Sequence, residues 1–170
     1  MLKIIRAGML TSVQAGKRTG LRQSGISYSG ALDAPALEIA NALVGNDADA
    51  AALEITLGQC EVKFTHDGWF ALTGAGCDAQ LDGKPVWTGW RHAMTAGQRL
   101  ILKSPQRGMR SYLAVAGGID VPEVMGSRST DLKTGIGGFQ GRALKDGDSL
   151  PLLPATPTFS GPQGVKQLLW

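Results

Sequence analysis

From Ala52 to Ala116 the chain is cut into short apolar runs separated by turn residues at nearly regular intervals, a spacing that leaves room for little but a strand-rich fold. Leu53 to Leu57, Glu61 to Phe64, Trp69 to Thr73, Ala79 to Leu81, Arg99 to Lys103 and Ser111 to Ala116 are too short for helices and read as strands. Asp82-Gly83, between Ala79-Gln80-Leu81 and Pro85-Val86-Trp87, predicts a two-residue hairpin, because a type I′ turn needs positive φ at both central positions. Asp146-Gly147 predicts a second tight turn. Glycine supplies 24 of the 170 residues, about twice its usual share of ~7%, as a chain of many tight turns requires. One helix interrupts this pattern. Asp33 is a good N-cap, Pro35 sits in the first turn, and Leu37, Ala40, Leu43 and Val44 recur at helical spacing before Gly45 stops it. Ahead of it, Leu2 to Ala7 reads as an opening strand closed by Gly8. Thr11 to Gly30 reads as a long ordered loop system, of a length that tends to carry function. No βαβ alternation supports a Rossmann or P-loop fold, so the prediction is a mainly β barrel or sandwich with one early helix.

A chain of 170 residues buries a core without staples. The net charge of +3 is spread over scattered Lys and Arg, with no run longer than Lys17-Arg18, which argues for a mildly basic surface and no nucleic-acid partner. Cys60 and Cys77 stand in no metal or redox spacing, and His66 and His92 have no partner at ligand spacing, so no metal site is expected. The sequence leaves open whether the two cysteines are bridged. Without a signal peptide or an apolar span of ~20 residues, the expectation is a cytoplasmic protein with no membrane segment. Pro151, Pro154, Pro157 and Pro162 make residues 151–164 an expected extended linker after a domain of residues 1–150. Residues 165–170, ending on Trp170, read as the start of a second half or as a terminal strand closing the barrel.

The residues that carry chemistry concentrate in Arg110 to Leu132. The Tyr112 to Ala116 run predicts a strand covered on both faces, Gly117-Gly118 ends it where backbone must bend or approach something closely, and Arg128, Ser129, Thr130 and Asp131 follow in one short loop. Arg128 with Ser127, Ser129 and Thr130 suits a carboxylate or phosphate, since guanidinium forks and hydroxyls match such oxygens; the alternative is an Arg that pins its own loop. Arg110 and Tyr112, two apart on a strand, face one side, and are either a site wall of one charge and one ring or, for Tyr112, a core residue with its hydroxyl bonded to backbone. Asp33, behind Ser27, Ser29 and Gly30, is either an N-cap or a group that orients a substrate amide or acts as base. Glu54, between Leu53 and Ile55, is an acid or base if it points inward, where burial would raise its pKa, and an ordinary surface residue if it points outward. Trp69, Trp87 and Trp90 read as barrel packing, and Asp120 and Asp131 as caps of loop N–H groups. Gly135-Ile136-Gly137-Gly138 fits neither a Walker A loop nor a full GxGxxG fingerprint, and no Ser-His-Asp or Cys-His set is visible.

Taken together, VQAGKRTG at Val13 to Gly20, SGISYSGALD at Ser24 to Asp33, ANALVGNDADAAALEITLG at Ala40 to Gly58, FALTGA at Phe70 to Ala75, and RSYLAVAGGIDVPEVMGSRSTDL resemble one family. It is the biotin-dependent carboxyltransferase family that includes the C subunit of bacterial 5-oxoprolinase, also described as the allophanate hydrolase subunit 2 or KipI-antagonist (KipA) family. The resemblance covers about the first half of the family's usual domain, and a similarly folded second half would follow Trp170. It departs at Ala15, where the family usually carries an Asp able either to cap backbone N–H groups or to hold the arginine that here is Arg18. The resemblance implies a cyclophilin-like β-barrel, the A and B subunits of 5-oxoprolinase as partners (a KipI-like partner), and ATP-coupled opening of 5-oxoproline to L-glutamate, with ATP held by the complex and not necessarily by this chain. Relatives fused to biotin carboxylase domains imply a carboxyltransferase acting on carboxybiotin and urea-like substrates as the alternative. A non-catalytic KipI-binding module is a third. No Met-Lys-Met acceptor occurs, so no biotin is attached to this chain. Amide opening requires a site of positive charge and backbone donors, for which Arg110, Arg128 and the Gly117 and Gly118 amides are the suppliers expected. Apolar surface left by a missing lobe would favour a homodimer.

Overall fold

The computed structural model describes residues 1–16, 30–124, 126–155, 159, 161 and 163–164. Its elements are β1 (Leu2–Arg6), β2 (Leu10–Gln14), α1 (Ala34–Leu43), β3 (Ala52–Thr56), β4 (Cys60–Phe64), β5 (Gly68–Leu81), β6 (Lys84–Val86), β7 (Trp90–Met94), β8 (Arg99–Val115), β9 (Ser149–Leu150) and β10 (Gln163–Gly164). The strands run antiparallel in the order β10-β7-β5-β8-β4-β1-β9, with β3 also on β8, β2 on β3 and β6 on β5. β8 is where the sheet forks: Arg99 to Leu102 pair with β4, and Arg110 to Leu113 pair with β3. The mainly β expectation holds, although the ladder does not close on itself among the described residues, so "barrel" is a loose description.

The helix and the first hairpin form where the sequence places them. Asp33 caps α1, its carboxylate accepting from the Ala36 N–H, and Asp82 and Gly83 both have positive φ. The second turn is closed by the Asp148 N–H donating to the Lys145 carbonyl. Three expectations are corrected. β5 and β8 are single strands of 14 and 17 residues, not two short strands each. Register shifts between Gly74 and Ala79 carry the chain through, and Gly74, at φ +93°, lies so close to β8 that a Cβ would run into the Arg110 carbonyl oxygen. A glycine demanded by close approach inside a strand looks, in sequence, like a turn. β2 takes up the start of the expected loop, hidden in the sequence because Thr11, Ser12 and Gln14 are polar yet buried, which erases the alternation. β7 carries no strand signal for the opposite reason, having only Met94 buried.

Alternation along β3, β5 and β8 sends side chains to two cores. Leu53, Ile55, Phe70, Leu72, Leu113 and Val115 join the larger one. Ala52, Ala71, Tyr112, Ala114 and Ala116 form the other, beneath Ala36, Leu37 and Ala40 of α1. Small side chains on that face let the helix lie close to the sheet, and Thr73 Oγ1 donates to the Ala36 carbonyl at 2.7 Å. Cys60 is a free thiol in the larger core, its pKa pushed up to about 12 by burial. Trp69 is half-buried, but Trp87 and Trp90 are 64% and 41% exposed at the β6–β7 turn and do not pack the interior as expected. Residues 151–153 run extended against residues 118–120, the Leu153 N–H donating to the Gly118 carbonyl. No described helix is long and apolar enough to cross a membrane.

A bidentate pair fastens the β9 end to β1. Arg142 Nη1 and Nη2 donate to the two Asp148 oxygens at 2.8 and 3.0 Å, while the Asp148 carbonyl accepts from the Ile4 N–H. The Arg142 guanidinium holds the Asp148 carboxyl below its usual pKa, so this stability is present above pH ~4 and is lost as pH falls through the folded value. Asp148→Asn is expected to lower the melting temperature by about 2–4 °C at pH 7 and to flatten the loss of stability below pH ~4, as thermal melts at the two pH values will show.

Candidate functional site

The face of the sheet beneath α1 carries a buried polar network. Tyr112 of β8 and Glu54 of β3 are register partners, and alternation points both toward the helix. The Tyr112 hydroxyl donates to Glu54 Oε2 at 2.7 Å, and the Leu32 N–H donates to the same oxygen at 2.9 Å. The Asp33 N–H donates to the Tyr112 hydroxyl oxygen at 2.9 Å. Tyr112 is 0% and Glu54 7% exposed. Burial, then the bond to Glu54, pushes the Tyr112 hydroxyl well above its ordinary pKa, so it keeps its proton. Glu54 therefore points inward, which alternation of sequence alone did not decide. Together with Tyr112 it fixes the backbone of Leu32 and Asp33 just before the helix.

In front of this network opens a cleft of about 310 Å³, lined by Leu32, Asp33, Gly74, Ala75, Gly108, Met109 and Arg110. Asp33 accepts the Ala36 N–H on Oδ1, leaving Oδ2 without a partner among the described residues. Arg110 is half-buried, and among the described residues its Nε has no hydrogen-bond partner and its guanidinium forms no ion pair within 4 Å. One cleft thus holds an anion and a cation not spent on each other. As their two-residue spacing required, Arg110 and Tyr112 address the same side, Arg110 at the cleft and Tyr112 behind it. Sequence reasoning missed Gly74, Met109 and the Leu32 amide; the glycine inside FALTGA was the one available signal of a close approach.

The remaining candidates lie elsewhere. Ser129 and Thr130 are buried, with Ser129 Oγ accepting from the Ala15 N–H and donating to the Gly16 carbonyl, and Thr130 Oγ1 donating to the Val13 carbonyl. Ser127 Oγ also donates to the Gly16 carbonyl. This loop stitches itself to the end of β2. Arg128, Gly117 and Gly118 line a second cleft, at the far end of α1, a helix of ten residues and so about 15 Å long. The expected suppliers of positive charge and backbone donors are not brought together: Arg110 lines the first cleft, and Arg128, Gly117 and Gly118 line the second. Both amides are also committed, Gly117 to Asn46 Oδ1 at 2.8 Å and Gly118 to the Val115 carbonyl at 2.8 Å. Asp131 Oδ1 caps the Lys133 and Thr134 N–H groups as expected. Ser27, Ser29 and Arg18 lie outside the described residues.

The glycine-rich segment gives no phosphate cradle. Gly135 and Ile136 amides both donate to the Asp131 carbonyl, and a Cβ at Gly138 would run into the Thr130 side chain, so the glycines serve close packing. The described residues therefore do not fit the phosphates of a nucleotide at this segment. Among them, no group of three or more His, Cys, Asp or Glu side chains is placed to hold a metal ion.

Comparison with known proteins places this architecture. The chain is 72% identical, over all 170 residues, to the C subunit of 5-oxoprolinase from Escherichia coli, of which it covers 55%. A crystal structure of TTHA0988 superposes with a TM-score of 0.89 at 34% identity, covering 98% of this chain and 61% of that one. The crystal structure of Kluyveromyces lactis urea carboxylase superposes with a TM-score of 0.86 at 35% identity, covering 91% of this chain and 14% of that one. The chain spans about half the length of the 5-oxoprolinase relatives it matches. The family described as carboxyltransferase domain, subdomain A and B, matches residues 24–168, α1 and the residues lining both clefts included, and the chain belongs to that family.

Proposed function

We propose that this chain supplies the substrate-binding cleft of an ATP-dependent 5-oxoprolinase, acting with the A and B subunits to open 5-oxoproline to L-glutamate. The observation that carries this reading is the pair of unspent charges, Asp33 and Arg110, in one small cleft. 5-Oxoproline bears a carboxylate and a lactam N–H. Arg110 is suited to hold the carboxylate, and Asp33 Oδ2 to accept the N–H on the adjacent ring atom, so that two points fix the ring's orientation before its C–N bond breaks. Ring opening adds water across that bond: the carbonyl carbon gains the oxygen and the nitrogen gains the proton. Glu54 and Tyr112 are positioning residues, since they hold Leu32 and Asp33 and do not line the cleft. The similarity to 5-oxoprolinase C subunits supports both the reaction and the need for partners. ATP, on this reading, is bound by the complex away from the segment at Gly135, and the complex is cytoplasmic.

The test combines the purified protein with the A and B subunits, 5-oxoproline and ATP. Glutamate should form only in the complete mixture; its absence with all three subunits present would sink the proposal. The similarity to urea carboxylase favours a second reading, carboxyl transfer from carboxybiotin to a urea-like substrate. That reading predicts that a biotinylated carrier shifts the thermal transition of this protein, and an unaltered transition at saturating carrier would count against it.

A further inference from the structure

The second cleft has its own chemistry. It measures about 300 Å³ and is lined by the α1–β3 connection, the turn after β8, Arg128, and Leu153, Pro154 and Ala155. Arg128 enters it half-buried, and among the described residues its Nε has no hydrogen-bond partner and its guanidinium no ion pair within 4 Å. Asp47 and Asp49 line the same cleft, exposed and likewise in no ion pair with a described residue. The walls are fixed by bonds that do not involve these charges. Asn46 accepts the Gly117 N–H at 2.8 Å and donates to the Val115 carbonyl at 2.9 Å, the Ile119 N–H donates to the Ala51 carbonyl at 3.1 Å, and the Ala50 N–H donates to the Asp47 carbonyl at 3.0 Å. Gly117, at φ +99°, lets Leu153 close over the turn, because a Cβ there would run into the Leu153 carbonyl.

We propose that this cleft binds a small free α-amino acid, with the ligand's carboxylate on Arg128, its ammonium toward Asp47 and Asp49, and its aliphatic part against Leu153 to Ala155. Opposite charges that line one cleft without pairing with each other complement a ligand that carries both charges a few ångströms apart. A simple anion satisfies Arg128 but meets two carboxylates, and a simple amine leaves the guanidinium unpaired. The volume, at the lower end of small-molecule sites, suits a molecule of amino-acid size. This site is separate from the Asp33–Arg110 cleft and does not rest on the reaction proposed for it.

Calorimetric titration of the protein alone with L-alanine, L-glutamate, propanoate and ethylammonium tests the idea without partner subunits or turnover. Binding of at least one of the two amino acids with a Kd of about 1 mM or tighter is expected, with propanoate and ethylammonium each at least about tenfold weaker. Arg128→Gln, and separately the exposed pair Asp47→Asn with Asp49→Asn, should each weaken amino-acid binding by about tenfold or more. Equal binding of propanoate, unchanged affinity in the Asp47 and Asp49 double variant, or no heat at about 10 mM amino acid would overturn the proposal. The double variant changes only exposed side chains, so it remains informative if Arg128→Gln fails to fold.

Discussion

Arg110→Gln is expected, under the proposed function, to raise the KM for 5-oxoproline about 100-fold in the assembled complex while changing kcat much less, equivalent to about 2.7 kcal/mol of lost binding. The guanidinium lines the cleft with no carboxylate of its own to neutralise among the described residues, so under the proposed function its charge would meet the carboxylate of 5-oxoproline before and during ring opening alike. Such uniform binding appears in KM. Glutamine keeps hydrogen-bond donors but loses the charge and the fork, and Arg110→Lys should recover part of the loss because the charge returns without the fork. Asp33→Asn is expected to do less to folding than to activity, because Asn is as good an N-cap as Asp yet offers a neutral acceptor to the lactam N–H. Steady-state kinetics on matched complexes separate these effects. An Arg110→Gln complex with unchanged KM would remove Arg110 from the site.

Tyr112→Phe is expected to destabilise the fold by about 3 kcal/mol, lowering the melting temperature by about 6–12 °C. The variant keeps the ring in its packed place and deletes one oxygen, but that oxygen donates to buried Glu54 and accepts from the Asp33 N–H. A buried carboxylate and a half-buried backbone N–H are left short of a partner. Because burial and the Glu54 bond raise the hydroxyl's pKa, the folded chain keeps a proton that the unfolded chain releases near pH ~10. The stability tied to this group is present below pH ~10 and falls as pH rises further, and the Phe variant should lack that fall. Denaturant unfolding at about pH 7 and about pH 10.5 measures both effects.

What the sequence made legible follows from how local each signal is. The N-cap at Asp33, the proline in the first turn, the Asp82-Gly83 hairpin and the shared face of Arg110 and Tyr112 depend on a few neighbouring residues, and all four stand in the structure. The direction of Glu54 does not, because β3 is buried on both faces and alternation cannot say which side holds a carboxylate's partner. Ser129 and Thr130 look like ligand hydroxyls in a polar loop; only the fold shows that they bond backbone groups more than 100 residues away. Gly74 and Gly117 were visible as glycines, yet the backbone that crowds them belongs to Arg110 and Leu153. Arg110 and Arg128 are near in sequence and line different clefts, because the strand and turn between them carry the chain from one end of α1 to the other.

The most direct test of the central claim is chemical-shift mapping of 5-oxoproline onto the isotopically labelled protein. Backbone amides of Leu32, Asp33, Gly74, Ala75 and Gly108 to Arg110 should shift together and saturably, and those shifts should vanish in Arg110→Gln. Shifts confined to Asn46 to Ala51 and Gly117 to Ile119, or unchanged mapping in the variant, would contradict it.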